Sequence, residues 1–346
     1  MSAENKQILW LNCSKTVAVL AVLVDHTNGV LYTNQDIAYA SYFSVSLFII
    51  ISGMTSYFSN LYSEKSSGGG YIEKCKKIVL SYSIAIFIHM IVITNSFDLQ
   101  DYIYYLIHFN ISGPHYFVLL YIQLMLFNSF LYSLLKKCPC SPRGYCYEVL
   151  VTVCIIVLSI WTTNHTNMLD VYGGGGKLFG GTYLVLYFFG MLVVRHNWLK
   201  EISLAKSGIM VIVFGTIWFW LWRFVCRNGL ILEKYVTFGD GFNPPGITFT
   251  IFAFCMLFMT FGTFTLLEQI KCLSWISLLT GWLGKHTLYV FLYHKLILDF
   301  FLLKFISDLP DINIWLARFV FFFFMIAGSI VLEVCVSFIQ KFIRCL

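Results

Sequence analysis

Charge is what this sequence has least of. Of 346 residues only 12% are Asp, Glu, Lys or Arg, 59% are hydrophobic, and the mean hydropathy is +0.78. A soluble domain is about one quarter charged, so a water-soluble globule is excluded and the bilayer is the expected solvent. The period-two alternation of a membrane β-barrel is missing as well. So is C-x-x-C. The 11 cysteines include Cys138, Cys140 and Cys146 in KKCPCSPRGYC, which lacks a clear fourth ligand, and no metal is expected. The glycine runs SSGGGY (66–71) and YGGGGK (172–177) have neither the strand before nor the G-K-[ST] after that a phosphate-binding loop requires. Both read as short flexible connections. No internal repeat is visible, which counts against a transporter built from paired halves. The first apolar run is long for a signal peptide's apolar core, so no cleavable signal is expected. Without a linker or domain boundary, one transmembrane domain over 1–346 is expected.

What the sequence does contain is apolar runs. A hydrocarbon core of roughly 30 Å takes about 20 helical residues to cross. Ten segments qualify, near 8–31, 41–60, 77–95, 114–135, 147–163, 180–196, 207–224, 246–267, 285–304 and 313–339. The expected fold is therefore all-α, a bundle of about ten transmembrane helices. Its short loops alternate in charge: Lys65, Lys74, Lys76, Lys77, Lys136, Lys137, Lys200 and Lys271 fall on one side. Asp98, Asp101, Asp170, Glu233, Asp240, Asp308 and Asp311 fall on the other, where the only basic residues are Lys177, Arg227 and Lys234. The positive-inside rule then places both termini in the cytoplasm. The net charge of +6 reflects this topology, and no nucleic-acid partner is expected.

Ionisable groups inside a span are costly and functional by default. The first span, SKTVAVLAVLVDHT, holds Lys15 and His26. At 100° per residue their eleven-residue separation closes to within about 20°, so they share a face, about 16 Å apart along the axis. Asp25 points about 100° away and is not expected to partner His26. In the second span Ser52 and Gly53 interrupt an aliphatic run, as close helix packing or a pore hydrogen bond would use them. Lys74, Lys76 and Lys77 open the third span, as membrane anchors or as a phosphate-docking patch. LGKHTLYVFLYHKLIL (283–298) carries His286, Tyr289, Tyr293 and His294, more than a lipid-facing helix needs. WFWLWRFVCR, with Trp218, Trp220, Trp222, Arg223 and Arg227, reads chiefly as an aromatic belt with snorkelling arginines, and secondarily as a sugar-stacking surface.

In this order the pieces resemble membrane acyltransferase family 3, integral membrane enzymes that modify surface glycans. That family's first helix carries an arginine, ten residues and a histidine, matched here by Lys15 and His26. Its second helix ends in phenylalanine, aliphatics and Ser-Gly, matched by Phe48, Ser52 and Gly53. Its R-x-x-R is similar to Lys74 and Lys77, and its aromatic fourth-helix opening to His115, Tyr116 and Phe117. The late G-x-x-[ST]-L-x-x-Y-x-x-H resembles Gly284, Thr287, Leu288, Phe291 and His294. The departures are lysine for arginine at 15, 74 and 77, which removes the guanidinium fork, Asn12 in place of a common acidic residue, and Phe291 in place of tyrosine.

The resemblance implies an acyl donor, most often acetyl-CoA, held at the cytoplasmic face, with its acyl end reaching through the bundle. The acceptor implied is a hydroxyl of an extracytoplasmic or lipid-linked polysaccharide, outside a bacterial cytoplasmic membrane. His26 and His294 are the implied catalytic residues. Lys15, Lys74, Lys77, Ser52 and His286 are the expected donor-binding set, with His286 or His294 also available to orient His26. Neutral imidazole suits proton transfer from a hydroxyl; an acyl-histidine relay stays open, as does homo-oligomer formation. An appended esterase-like domain is not expected. The alternative is a transporter or flippase of a polysaccharide precursor without acyl transfer.

Overall fold

Within hydrocarbon a span must satisfy its own backbone hydrogen bonds, and helices are what the chain forms. A computed structural model describes residues 3–63, 70–138, 141–199, 202–236, 238–239, 241–302 and 314–345. Lys65, Cys140, Lys200, Asp240, Asp308, Asp311 and most of the run 66–71 lie outside the described residues. Those described are 81% helical, with no strands. In chain order the helices are α1 (Ala3–His26), α2 (Gln35–Ser41), α3 (Ser44–Ser63), α4 (Gly70–His89), α5 (Leu99–His108), α6 (Tyr116–Lys136) and α7 (Pro142–His165). There follow α8 (Tyr183–Arg195), α9 (Leu204–Asn228), α10 (Ile247–Gln269), α11 (Ser274–Leu283), α12 (Thr287–Ile297) and α13 (Ile314–Cys345).

Among the described residues, eight segments are long and apolar enough to cross a membrane. Two of the ten expected spans are shorter than expected. The segment at 180–196 forms α8, only 13 residues, because left-handed glycines at 180 and 181 hold the preceding chain in 3₁₀ turns. It is buried along most of its length, and irregular backbone at membrane depth is tolerated where protein covers it. The segment at 285–304 gives the 11-residue α12 and then a π-helical turn, Leu298–Leu302.

Burial orders the bundle. The α1 span is 61% buried and packs on α3, α10, α11 and α12, whereas the α9 span is 6% buried and lies at the rim. Apolar contact gives little drive for association in lipid, so close packing and interhelical hydrogen bonds do the work. Cys13 Sγ donates to the Ser277 carbonyl oxygen at 3.1 Å and Thr16 Oγ1 to that of Thr280 at 2.6 Å, fixing α1 on α11. At the Lys15 end Glu148 of α7 holds Arg195 Nε at 2.7 Å and His196 Nε2 at 2.5 Å, pinning α7 to α8.

The Ser-Gly pair in α3 is explained by packing. Ser52 Oγ donates to the Phe48 carbonyl oxygen at 2.7 Å, a bond inside its own helix. A Cβ at Gly53 would overlap the Tyr187 carbonyl oxygen of α8, and one at Gly190 would overlap that of Ile50. The helices cross backbone to backbone. Gly53→Leu should therefore destabilise the bundle by about 3 kcal/mol or more, read as a lowered thermal midpoint and loss of the monodisperse peak in detergent.

Candidate active site

At the end of the bundle where α1 terminates, a cavity of about 510 Å³ opens between helices. His26 lines it, 27% exposed, while His294 of α12 lies directly behind and is fully buried, so His26 is the ring a substrate can reach. His26 Nδ1 and His294 Nε2 are 2.6 Å apart, with ring planes within 4° of parallel.

The hydrogen bonds assign the tautomers. His294 Nδ1 lies 3.0 Å from the Val290 carbonyl oxygen and 2.9 Å from that of Phe291. Carbonyl oxygens only accept, so Nδ1 carries the proton, and the Nε2 of a neutral ring is an acceptor. His26 Nδ1 must then donate to it. That leaves His26 Nε2 a bare lone pair inside the cavity. His115 Nε2 donates to the Leu292 carbonyl oxygen at 3.3 Å, bracing the same turn of α12. Tyr32 does likewise for α1, donating to the Val24 carbonyl oxygen at 2.7 Å. Burial, then the nearby Asp25 and Tyr42, push its phenol pKa up, so it remains a donor.

Asp25 corrects the expectation from helix geometry. Its Oδ2 lies 3.8 Å from His26 Nε2, and both side chains line the cavity. The 100° separation describes Cβ directions; in the last turn of a helix the flexible side chains bend to the same opening.

The walls come from loops distant in sequence. Tyr42, Tyr116, Tyr172 and Phe242 supply aromatic faces, and Gln35 and Asn243 supply amides. Tyr183 donates to Asn243 Oδ1 at 2.5 Å. The glycine run 172–177, expected to be flexible, is a buried 3₁₀ turn instead: Gly174, Gly175 and Gly176 are buried. Gly173 has φ +70°, and a Cβ at Gly175 would stand 2.5 Å from the Tyr116 carbonyl oxygen. Only glycine lets this turn lie against α6 and hold Tyr172 at the rim. A second cavity of about 300 Å³, lined by Asn167 and Lys177, shares Tyr172, Phe242 and Asn243 with the first.

The remaining expected residues fall elsewhere. Lys15 is not in the His26 cavity; its Nζ donates to Asn12 Oδ1 at 3.3 Å, and it feels the charge of Lys74. Lys74 and Lys77 are exposed at that end, with Lys74 Nζ 2.8 Å from Ser59 Oγ. His286 does not orient His26: its Nδ1 sits 2.6 Å from Glu333 Oε2 of α13. Ser52 is buried in α3 packing, away from the cavity. Trp218 stacks on Trp222, whose Nε1 donates to the Asp36 carbonyl oxygen at 2.7 Å, so these rings serve packing and Trp220 alone of the three faces outward. Tyr42, Tyr172, Tyr183 and Asn243 were missed as site residues; the glycines, which demand close approach, were the available signal.

A many-helix membrane bundle that keeps an imidazole pair, one ring buried and the other on the wall of an open cavity, defines a class of multi-pass membrane proteins with a ring nitrogen held at a cavity. The chain belongs to membrane acyltransferase family 3, whose model, described as an acyltransferase domain, matches residues 8–334. It is an integral membrane acyltransferase. No curated protein matches it.

Proposed function

We propose that the protein is an O-acyltransferase of a cell-surface polysaccharide in a bacterial cytoplasmic membrane, taking its acyl group, most simply acetyl, from acyl-CoA. The donor's phosphates sit at the Lys15 end, where Lys74 and Lys77 are exposed to meet them as point charges. The acceptor hydroxyl enters the His26 cavity. One observation carries the reading: the hydrogen-bond chain from the α12 carbonyls through His294 leaves His26 Nε2 as an oriented base facing that cavity.

The chemistry balances at that nitrogen. The hydroxyl oxygen attacks the thioester carbonyl as His26 Nε2 takes its proton; the new C–O bond forms, the C–S bond breaks, and the proton passes to the departing sulfur. His26 Nδ1–H stays on His294 throughout. Aromatic faces and amides suit a pyranose, and the adjoining cavity gives a longer glycan a way out past Tyr172.

Surface polysaccharide from cells with and without the intact gene tests the reading. Loss of the gene should leave polymer yield unchanged and remove an acyl ester mass, restored by the wild-type gene. Loss of the polymer itself would favour the flippase alternative. Donor docking makes its own prediction: Lys74→Ala with Lys77→Ala should raise the acyl-CoA KM about tenfold, with kcat changed far less, measured as CoA release in proteoliposomes.

A further inference from the structure

The cavity presents a second acceptor beside the base. Asp25 Oδ2 and His26 Nε2 lie 3.8 Å apart. At that distance they do not hydrogen-bond to each other, so each keeps a lone pair for a substrate. Both belong to one continuous cavity, and none of its described lining residues is Lys or Arg. A carboxylate held among aromatic rings and amides, with no cation on the cavity wall, gains most from a neutral O–H donor and repels an anionic substituent.

Resting on the acyltransfer reading, we propose that this pair of atoms recognises a vicinal diol. His26 Nε2 takes the hydroxyl that becomes acylated, and Asp25 Oδ2 accepts the hydroxyl on the adjacent ring carbon. Gauche hydroxyls on neighbouring pyranose carbons diverge, and each O–H turns freely about its C–O bond, so the two can meet acceptors 3.8 Å apart without distorting the ring. The second bond turns the sugar so that one oxygen, and not its neighbours, reaches Nε2. Asp25 thereby sets both the regiochemistry and the acceptor class: a neutral glycosyl residue with adjacent free hydroxyls, in preference to one whose adjacent carbon bears a linkage, an amide or no oxygen.

Two measurements decide it. The first is the ester position in native polysaccharide, located by two-dimensional NMR; at least one carbon adjacent to the ester-bearing carbon should carry an unsubstituted hydroxyl. The second uses the purified protein with the same polymer, stripped of esters by mild base, as acceptor. Asp25→Leu, which keeps the branching of the side chain but is unable to accept a hydrogen bond, should raise the acceptor KM about tenfold or more, with kcat changed far less. An ester flanked on both sides by linked, amidated or deoxygenated carbons overturns the proposal, and so does an unchanged acceptor KM in a folded Asp25→Leu protein. Should Asp25→Leu fail to fold, the ester position still decides. If His26→Ala leaves native ester content intact, the acyltransfer reading itself falls; if His26→Ala removes the ester while either result above is negative, only the diol assignment falls.

Discussion

His26→Ala should abolish acyl transfer, lowering kcat by about 10³-fold, within the range general-base removal costs. The size follows from the geometry. His26 is the only ring of the imidazole pair that reaches the cavity, and the nearest oxygen base, Asp25, stands 3.8 Å from the nitrogen it would have to replace. His294 cannot substitute, because its Nδ1 is committed to two backbone carbonyls and its Nε2 faces the space the deleted ring leaves. Truncation also leaves an enlarged cavity that water fills, but that water has no imidazole to activate it, so acceptor-independent thioester loss should not rise to compensate. The assay is CoA release and ester formation by purified protein, with monodispersity and thermal midpoint confirming that the variant folds. Wild-type turnover in this variant would remove His26 from the chemistry.

Much of the fold was legible because apolar length is a one-dimensional property. Long runs such as 207–224 and 246–267 needed only counting, and the structure returns them as α9 and α10. The short spans were harder: nothing in 180–196 announces that Gly180 and Gly181 turn the chain before α8 begins, since a left-handed glycine looks like any other until its neighbours are known. The candidate site divides in the same way. Lys15 and His26 share a face by arithmetic along one helix, and His294 entered through a resemblance. Asp25 was set aside because angular spacing locates Cβ atoms and says nothing of where a terminal turn sends its side chains. His286 was drawn towards the site by its position at the start of α12, but Glu333, 47 residues on, holds it. The aromatic wall was invisible for a plainer reason. Tyr42, Tyr172 and Asn243 come from three separate loops, and only tertiary packing brings them together, Asn243 against the glycine turn and Tyr42 against Phe242.

His294→Leu should cost about a hundredfold in kcat, and His294→Gln markedly less, because the function of His294 is to accept a proton bond and hold a tautomer. Leucine fills the space but offers nothing to His26 Nδ1–H, leaving a buried donor unsatisfied. The ring then gains by placing its proton on Nε2, where water or Asp25 in the cavity can accept it, and the lone pair that must take the acceptor's proton points into the bundle. Fixing the tautomer of a catalytic imidazole through its far nitrogen is the role a buried carboxylate plays in hydrolase triads, where its loss costs orders of magnitude in rate. Glutamine has a carbonyl oxygen that can accept from Nδ1 and so should restore the useful tautomer without restoring any titratable group. A purely structural role predicts the opposite ranking, since apolar leucine is better tolerated than glutamine in a fully buried position flanked by Phe291 and Val290. Thermal midpoints and kcat measured together separate the two: the leucine variant more stable yet slower, the glutamine variant less stable yet faster. Leucine as active as wild type, or glutamine no better than leucine, would show that the 2.6 Å contact between the two imidazoles carries no catalytic information.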